Sequence, residues 1–377
     1  MTDLSQTAPA RLSTRIAFFA AGFAIAAWAP LIPFAKANVG ADEAMFGLLL
    51  LCLGLGSIIA MPVTGWVTAQ RGARGMILLG GYALALVLPF LALAGSVAVL
   101  GALLFVFGAA LGTIDVAMNV HAAEVERREG RVLMSGFHAQ FSLGGFAGAG
   151  LLTAMLSLGL APAGAAALAG GVTLVAMVVC QPRLMRRAQA AEPEPFVLPR
   201  GIVLLLAVLA GIMFLVEGAV MDWGALLLIA RDMAEPSGAG LGFMLFSLAM
   251  VVGRLTGDVI VARLGGVRVL VGGGFLTLAG VAVILLSPVP VMSLAGFALV
   301  GLGASNLVPV VFSAAGRQTV MPAGPAIAAV TTVGYAGILL GPALIGFAAE
   351  AVGLPVAFWI LGAVILLVPL TARRVAG

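Results

Sequence analysis

The sequence predicts an all-α membrane protein of twelve transmembrane helices, arranged as two pseudo-symmetric six-helix bundles with a central cavity between them. Three observations predict it. Charged residues are 9% of the 377 and hydrophobic ones 62%, whereas a soluble domain carries about 25% charge; mean hydropathy is +1.20. Apolar runs of about 20 residues, the length that spans a bilayer, recur along the whole chain. Lys and Arg are concentrated in alternate connections, the pattern that fixes membrane orientation.

The runs lie near 14–36, 45–69, 75–95, 97–123, 133–158, 162–181, 201–230, 239–262, 267–287, 290–315, 325–350 and 353–371. The first continues to Pro33, too long for the apolar core of a cleavable signal, and reads as a retained first helix. Gly95 separates the third run from the fourth, and Pro288 and Pro290 separate the ninth from the tenth. After the fourth comes a short charged stretch, Glu124 to Arg131, expected as a solvated inner loop. After the sixth comes the longest polar connection, Gln181 to Arg200, rich in Arg, Pro and Glu. It divides the chain into an N-terminal bundle (1–181), a cytoplasmic linker (182–200) and a C-terminal bundle (201–377).

With the N-terminus inside, Arg11, Arg15, Arg71, Arg74, Arg127, Arg128, Arg131, Arg183, Arg186, Arg187, Arg200, Arg263, Arg268, Arg317, Arg373 and Arg374 fall in cytoplasmic segments. Only Lys36 and Arg231 fall outside, and Arg254 lies within a helix. That asymmetry places both termini in the cytoplasm and requires an even number of spans. The net charge of +4 is explained by these loops and does not point to nucleic acid. Cys52 and Cys180 both lie in apolar runs and imply neither a disulfide framework nor a metal site.

The halves echo each other. Ala69-Gln70-Arg71-Gly72 at the end of helix 2 matches Ala262-Arg263-Leu264-Gly265 at the end of helix 8. At nearly the same offset Trp28 matches Trp223, Asp115 matches Asn306, and Gly144 and Gly148 match Gly337 and Gly341. Transporters built from parallel repeats hold substrate between the halves near the midplane.

The polar residues inside the runs are the candidate site. Asp115 and Asn119 stand four apart on helix 4, so they share a face; His138 and Ser142 share one on helix 5. A carboxylate within a membrane helix usually lines a bundle interior or a water path, which makes Asp115 a candidate proton carrier or hydroxyl acceptor. Helices 4 and 5, joined by so short a loop, are expected side by side with these four groups facing one cavity. Glu217 and Asp222 on helix 7 are five apart, roughly 140° around the axis, so Glu217 is the second ionisable candidate and Asp222 a cap or outer contact. Asn306 can both donate to and accept from a hydroxylated ligand. Trp28, Trp223 and Tyr335 are aromatic candidates for the floor of a sugar site. Arg254 and Asp258, one turn apart on helix 8, read as a neutralising pair. Arg71 and Arg74 read as inner gate or structural charges.

Over essentially its whole length the chain resembles the major facilitator superfamily. The helix 2–3 connection resembles that family's G-x-x-x-D-x-x-G-x-[RK] signature as Gly65-x-x-x-Ala69-x-x-Gly72-x-Arg74, with Ala69 in the acidic position. The Asp115–Asn119 pair, followed in helix 5 by His138, Ser142 and Gly144, is similar to the fucose permease group of sugar–proton symporters, although helix 1 lacks the acid of that group. The helix 7 segment Glu217-Gly218-x-x-x-Asp222-Trp223 resembles uncharacterised bacterial transporters related to a rhizopine-associated membrane protein. The resemblance implies a monomeric secondary transporter of the bacterial inner membrane, in which two halves rock in alternating access. It further implies uptake of a small sugar- or polyol-like solute with the proton as coupling ion, and no cofactor or metal. The alternative is a proton-driven efflux antiporter for drugs or metabolites; the Gly-Pro pair of such antiporters belongs in helix 5, but here Gly341-Pro342 lies in helix 11. An enzyme is not expected: His121 and His138 lie on different helices without an H-E-x-x-H spacing, and the chain has no G-x-S-x-G and no phosphate-binding G-x-x-x-x-G-K-[ST].

Overall fold

The computed structural model describes residues 7–129, 133–185, 198–321 and 323–376; the side chains of Thr7, Ala69, Met134, Ser135, Asp258, Ala323, Pro325 and Ala328 are also outside the description. Arg131, Arg186, Arg187 and most of the 182–200 linker therefore lie outside the described residues.

The described chain is helical throughout. The first span comprises α1 (Thr7–Trp28), a 3-10 turn (Ala29–Leu31) and α2 (Ile32–Val39). Then follow α3 (Glu43–Arg71), α4 (Arg74–Leu91), α5 (Val97–Glu129), α6 (Met134–Ser157), α7 (Pro162–Cys180), α8 (Ile202–Ala230), α9 (Leu241–Leu264) and α10 (Gly266–Leu286). The tenth span is α11 (Pro290–Ala304) plus α12 (Leu307–Arg317), the eleventh α13 (Ala323–Val352), and the twelfth α14 (Leu354–Ile365) plus α15 (Leu367–Ala376). Among the described residues 11 of these spans are long and apolar enough to cross a membrane, and α9 supplies a shorter apolar run, Leu241–Gly257.

Two segments differ from the expectation. The first helix starts at Thr7, so Arg11 and Arg15 sit on its first turns. The fourth continues to Glu129, so most of the expected charged loop is helix. Glu124 explains this: its carboxylate accepts from Arg127 (2.7 Å) and Arg128 (2.6 Å), three and four residues on, the spacing that stabilises a helix. Glu126 then accepts the Leu133 N–H at 2.6 Å, tying the end of α5 to the start of α6.

Helix breaks follow the prolines. Pro30 lies in the 3-10 turn of the first span. In the tenth, Pro309 has no N–H to offer the carbonyl of Ser305, and the Ser305 hydroxyl donates to the Leu302 carbonyl at 2.7 Å, so α11 ends and α12 begins afresh.

Contacts divide the chain into two compact units. One comprises Met1–Ala41, Leu49–Pro193 and Pro236–Gly240; the other Asp42–Leu48, Glu194–Glu235 and Leu241–Gly377. Within each, glycines let backbones touch, as small residues do in membrane bundles. In the first unit a Cβ at Gly108 (α5) would strike the Leu53 carbonyl of α3; in the second, one at Gly301 (α11) would strike the Phe246 carbonyl of α9. Both members of the pair shift by 193 residues. Gly80 meets the Ala110 carbonyl as Gly273 meets that of Gly303, and Gly144 on α1 is echoed by Gly337 on α8. Gly72 (φ 84°) and Gly265 (φ 78°) close the equivalent turns in left-handed conformation, which is why a glycine stands at each.

The repeat corrects one expected correspondence. At the offset fixed by Gly108 and Gly301, Asn306 corresponds to Thr113, not Asp115. Thr113 accepts from Thr64 of α3 at 3.4 Å, and Asn306 donates to the Gly253 carbonyl of α9 at 2.9 Å. Both therefore brace the same helix pair. Asp115 lies two residues further, about 200° round the helix.

Candidate functional site

In the first unit the site begins with Asp115 and Asn119 on α5. Four residues of helix bring the Asn119 amide over the preceding turn. Its Nδ2 donates to the Asp115 backbone carbonyl at 2.9 Å and toward the carboxylate Oδ1 at 3.4 Å. Both side chains are half-buried. A half-buried carboxylate held by an amide can accept from a hydroxyl or take up a proton, while the amide offers either a donor or an acceptor.

His138 and Ser142 share a face of α6 as expected, but α6 packs chiefly on α1 and touches α5 only slightly. Gly22 of α1 faces the Phe141 backbone, and Gly144 and Gly148 face Phe19 and Phe23. A glycine-lined face approaches its partner more closely than the bulkier side chains of α5 allow, so a short loop does not decide the pairing. His138 is exposed and stands edge-on to Phe18, ring centroids 5.2 Å apart, and the Ser142 hydroxyl bonds back to the His138 carbonyl at 3.3 Å.

His121, which the sequence singles out only for its lack of a metal motif, is fully buried. Its Nε2 accepts the Met185 N–H at 3.0 Å, which places the proton on Nδ1, directed at Thr14 Oγ1 2.9 Å away; the Thr14 hydroxyl in turn donates to the Ala10 carbonyl at 2.8 Å. Ser13 Oγ and Cys180 Sγ exchange bonds with each other's carbonyls beside it. These contacts knit α1, α5 and the end of α7 together. No spacing in the sequence announces them, because the three partners are far apart along the chain.

In the second unit Glu217 (α8) and Arg254 (α9) form an ion pair at 3.3 Å, with side chains 21% and 33% exposed. The sequence paired Arg254 with Asp258, whose side chain lies outside the described residues; its pairing with Glu217 crosses between helices and carries no sequence signal. Asn306 is buried at the helix break. Its amide donates to the Gly253 carbonyl and to Ser305 Oγ at 3.0 Å, and its Oδ1 fills the space left by the missing side chain of Gly257. Asp222 is 5% exposed. Trp28 and Trp223 are both fully buried, and Trp223 packs edge-on against Phe46 at 5.8 Å. Tyr335 is half-buried against Phe214 at 5.9 Å. Arg71 is exposed at the end of α3, and Arg74 is half-buried at the start of α4.

Each unit thus holds a carboxylate on a helix with a polar partner, Asp115 with Asn119 in the first and Glu217 with Arg254 in the second. The profile of the Major Facilitator Superfamily matches residues 206–375. An uncharacterized MFS-type transporter of Yersinia pestis is 48% identical over 97% of this chain and 95% of its own length. The membrane protein MosC of Rhizobium meliloti is 30% identical over 89% of this chain and 83% of its own. A crystal structure of the nucleoside transporter NupG superposes with a TM-score of 0.76 at 14% identity, covering 97% of this chain and 98% of that one.

Proposed function

The chain belongs to the major facilitator superfamily and is a multi-pass secondary transporter, not an enzyme; from that premise we propose that it takes up a small hydroxylated solute, sugar- or polyol-like, together with protons. The observation that carries the reading is the Asp115–Asn119 pair. A carboxylate on a membrane helix is retained at a cost, and its usual return is a solute or proton path. An acid with an amide one turn away has the donors and acceptors that a ring of hydroxyls needs, and the acid alone can also take a proton. One group that serves both ligands couples them.

The reading places the protein in a bacterial inner membrane with both termini in the cytoplasm, on the asymmetry of Lys and Arg. Reporter fusions test the orientation: one at Arg231 reads outside and one after Ala376 reads inside, and the opposite result reverses the topology. Coupling is tested in proteoliposomes. Sugars and polyols are first ranked by thermal shift, since a ligand that binds the folded state stabilises it with the logarithm of its concentration. The best is then offered under an imposed pH gradient. Accumulation driven by acid outside supports uptake with protons, accumulation driven by acid inside identifies an antiporter, and none in either direction overturns proton coupling.

A further inference from the structure

Asp222, on α8 of the second unit, is 5% exposed, and its Oδ1 is buried with no hydrogen-bond partner among the described residues. The carboxyl makes no ion pair with any described residue. The other buried carboxylate oxygen in that condition, Oε1 of Glu129, belongs to a group already paired with Arg11 at 2.9 Å. The cations just after α8 and at the middle of α9 are engaged elsewhere. Arg254 is on Glu217, and Arg231 donates its guanidinium fork to the carbonyls of Ile284 and Ser287 at the end of α10.

The helices packed on α8 carry few other charges. α9 adds Arg263 near its end, and α12 adds Arg317 in its last turn. α13 adds Glu350, and α15 adds Arg373 and Arg374 in its last turn; α11 and α14 have none. The start of α3, which reaches Trp223 through Phe46, brings Glu43, with Asp42 just before it. Asp258 of α9 lies outside the description. Burying a carboxylate with no counter-charge or donor is among the most expensive things a protein interior can do, and the group sheds its charge instead. Five residues of helix turn Asp222 about 140° away from Glu217, so the two acids of α8 meet different surroundings.

We infer that Asp222 carries a bound proton in this conformation and is a second proton-binding site of the transport cycle, distinct from Glu217, which faces Arg254 at 3.3 Å. The part concerning the cycle rests on the proton-coupled reading above. The proton enters and leaves when the carboxyl meets water; it needs no other co-reactant.

Infrared spectra of the purified protein at neutral pH test the first part. The parent shows the carbonyl stretch of a protonated carboxyl. Asp222→Asn removes one component, Asp222→Glu shifts it, and Glu217→Gln leaves it in place. A parent without that component, or an Asp222→Asn protein that keeps it, overturns the inference. Proteoliposomes test the second part with the membrane potential clamped at zero. Two coupled protons give about 100-fold limiting accumulation per unit of pH gradient and one gives about 10-fold. Asp222→Asn lowers the first to the second. An unchanged limit overturns the role in the cycle. A parent that accumulates nothing overturns the coupling proposal instead, and the infrared result still decides whether Asp222 holds a proton.

Discussion

Asp115→Asn abolishes the share of solute accumulation that the Asp115 proton drives and leaves solute exchange within about tenfold of the parent. The variant is nearly isosteric, and the Asn119 amide that now reaches the carboxylate at 3.4 Å finds the carbonyl oxygen of the new amide at the same place. Fold and solute contact therefore survive. What disappears is the change of charge. With the native acid, the unprotonated carrier must take a bare carboxylate through a closed, dry intermediate, a step opposed by desolvation worth several kcal/mol; the proton removes that charge, so the loaded carrier crosses freely. In the variant that charge is absent at all times, and the carrier crosses without a proton at this position. Solute accumulation then falls to what a proton on Asp222 alone sustains, about 10-fold per unit of pH gradient against about 100-fold with both, and to none if Asp222 does not couple. Exchange needs no net proton movement and continues. The measurement is paired flux in proteoliposomes, accumulation under a pH gradient and counterflow without one. Parent-like accumulation in Asp115→Asn makes the carboxylate structural; loss of both fluxes makes it a solute contact without a coupling role.

The membrane helices were legible in the sequence because the bilayer imposes a length and a polarity that no soluble context shares. Pro288 and Pro290 do begin a new span, and Gly72 and Gly265 do close equivalent turns, since proline and glycine act through local backbone geometry. The contact of Asn119 with Asp115 was legible for the same reason, being made within one turn. Features that depend on which helix lies beside which were not. The loop after α5 suggested that helices 4 and 5 pack together, whereas the glycines of α6 seat it on α1. The ion pair of Arg254 with Glu217 joins two helices, and no spacing in the sequence announces it. The weak match of Asp115 to Asn306 came from aligning polar residues; the glycine–carbonyl contacts of Gly108 and Gly301 move the frame by two positions. Asp222 stood in a polar motif, and nothing in that motif tells that its carboxyl is buried without a partner.

The Glu217–Arg254 pair predicts a pattern that single substitutions alone would hide. Glu217→Gln removes the carboxylate that Arg254 meets on α8, and Arg254→Gln removes the guanidinium that Glu217 meets on α9. Breaking a fully buried pair costs about 3–5 kcal/mol because one uncompensated charge remains. Here the side chains are 21% and 33% exposed, and water screens part of that, so each single change costs about 2 kcal/mol. The double variant Glu217→Gln, Arg254→Gln leaves two amides that can bond to each other across the same 3.3 Å gap. It recovers most of the loss, so the cycle shows a coupling of about 1–3 kcal/mol, the range for residues in direct contact. The readouts are the yield of monodisperse protein and its melting temperature in detergent, which do not depend on knowing the solute. Transport separates structure from coupling: if the pair only balances charge inside the unit, the double variant accumulates solute like the parent. If it is stable yet no longer concentrates solute, Glu217 takes part in the proton cycle. Additive losses in the double variant show that the two residues support the fold independently, and the ion pair then has no energetic role.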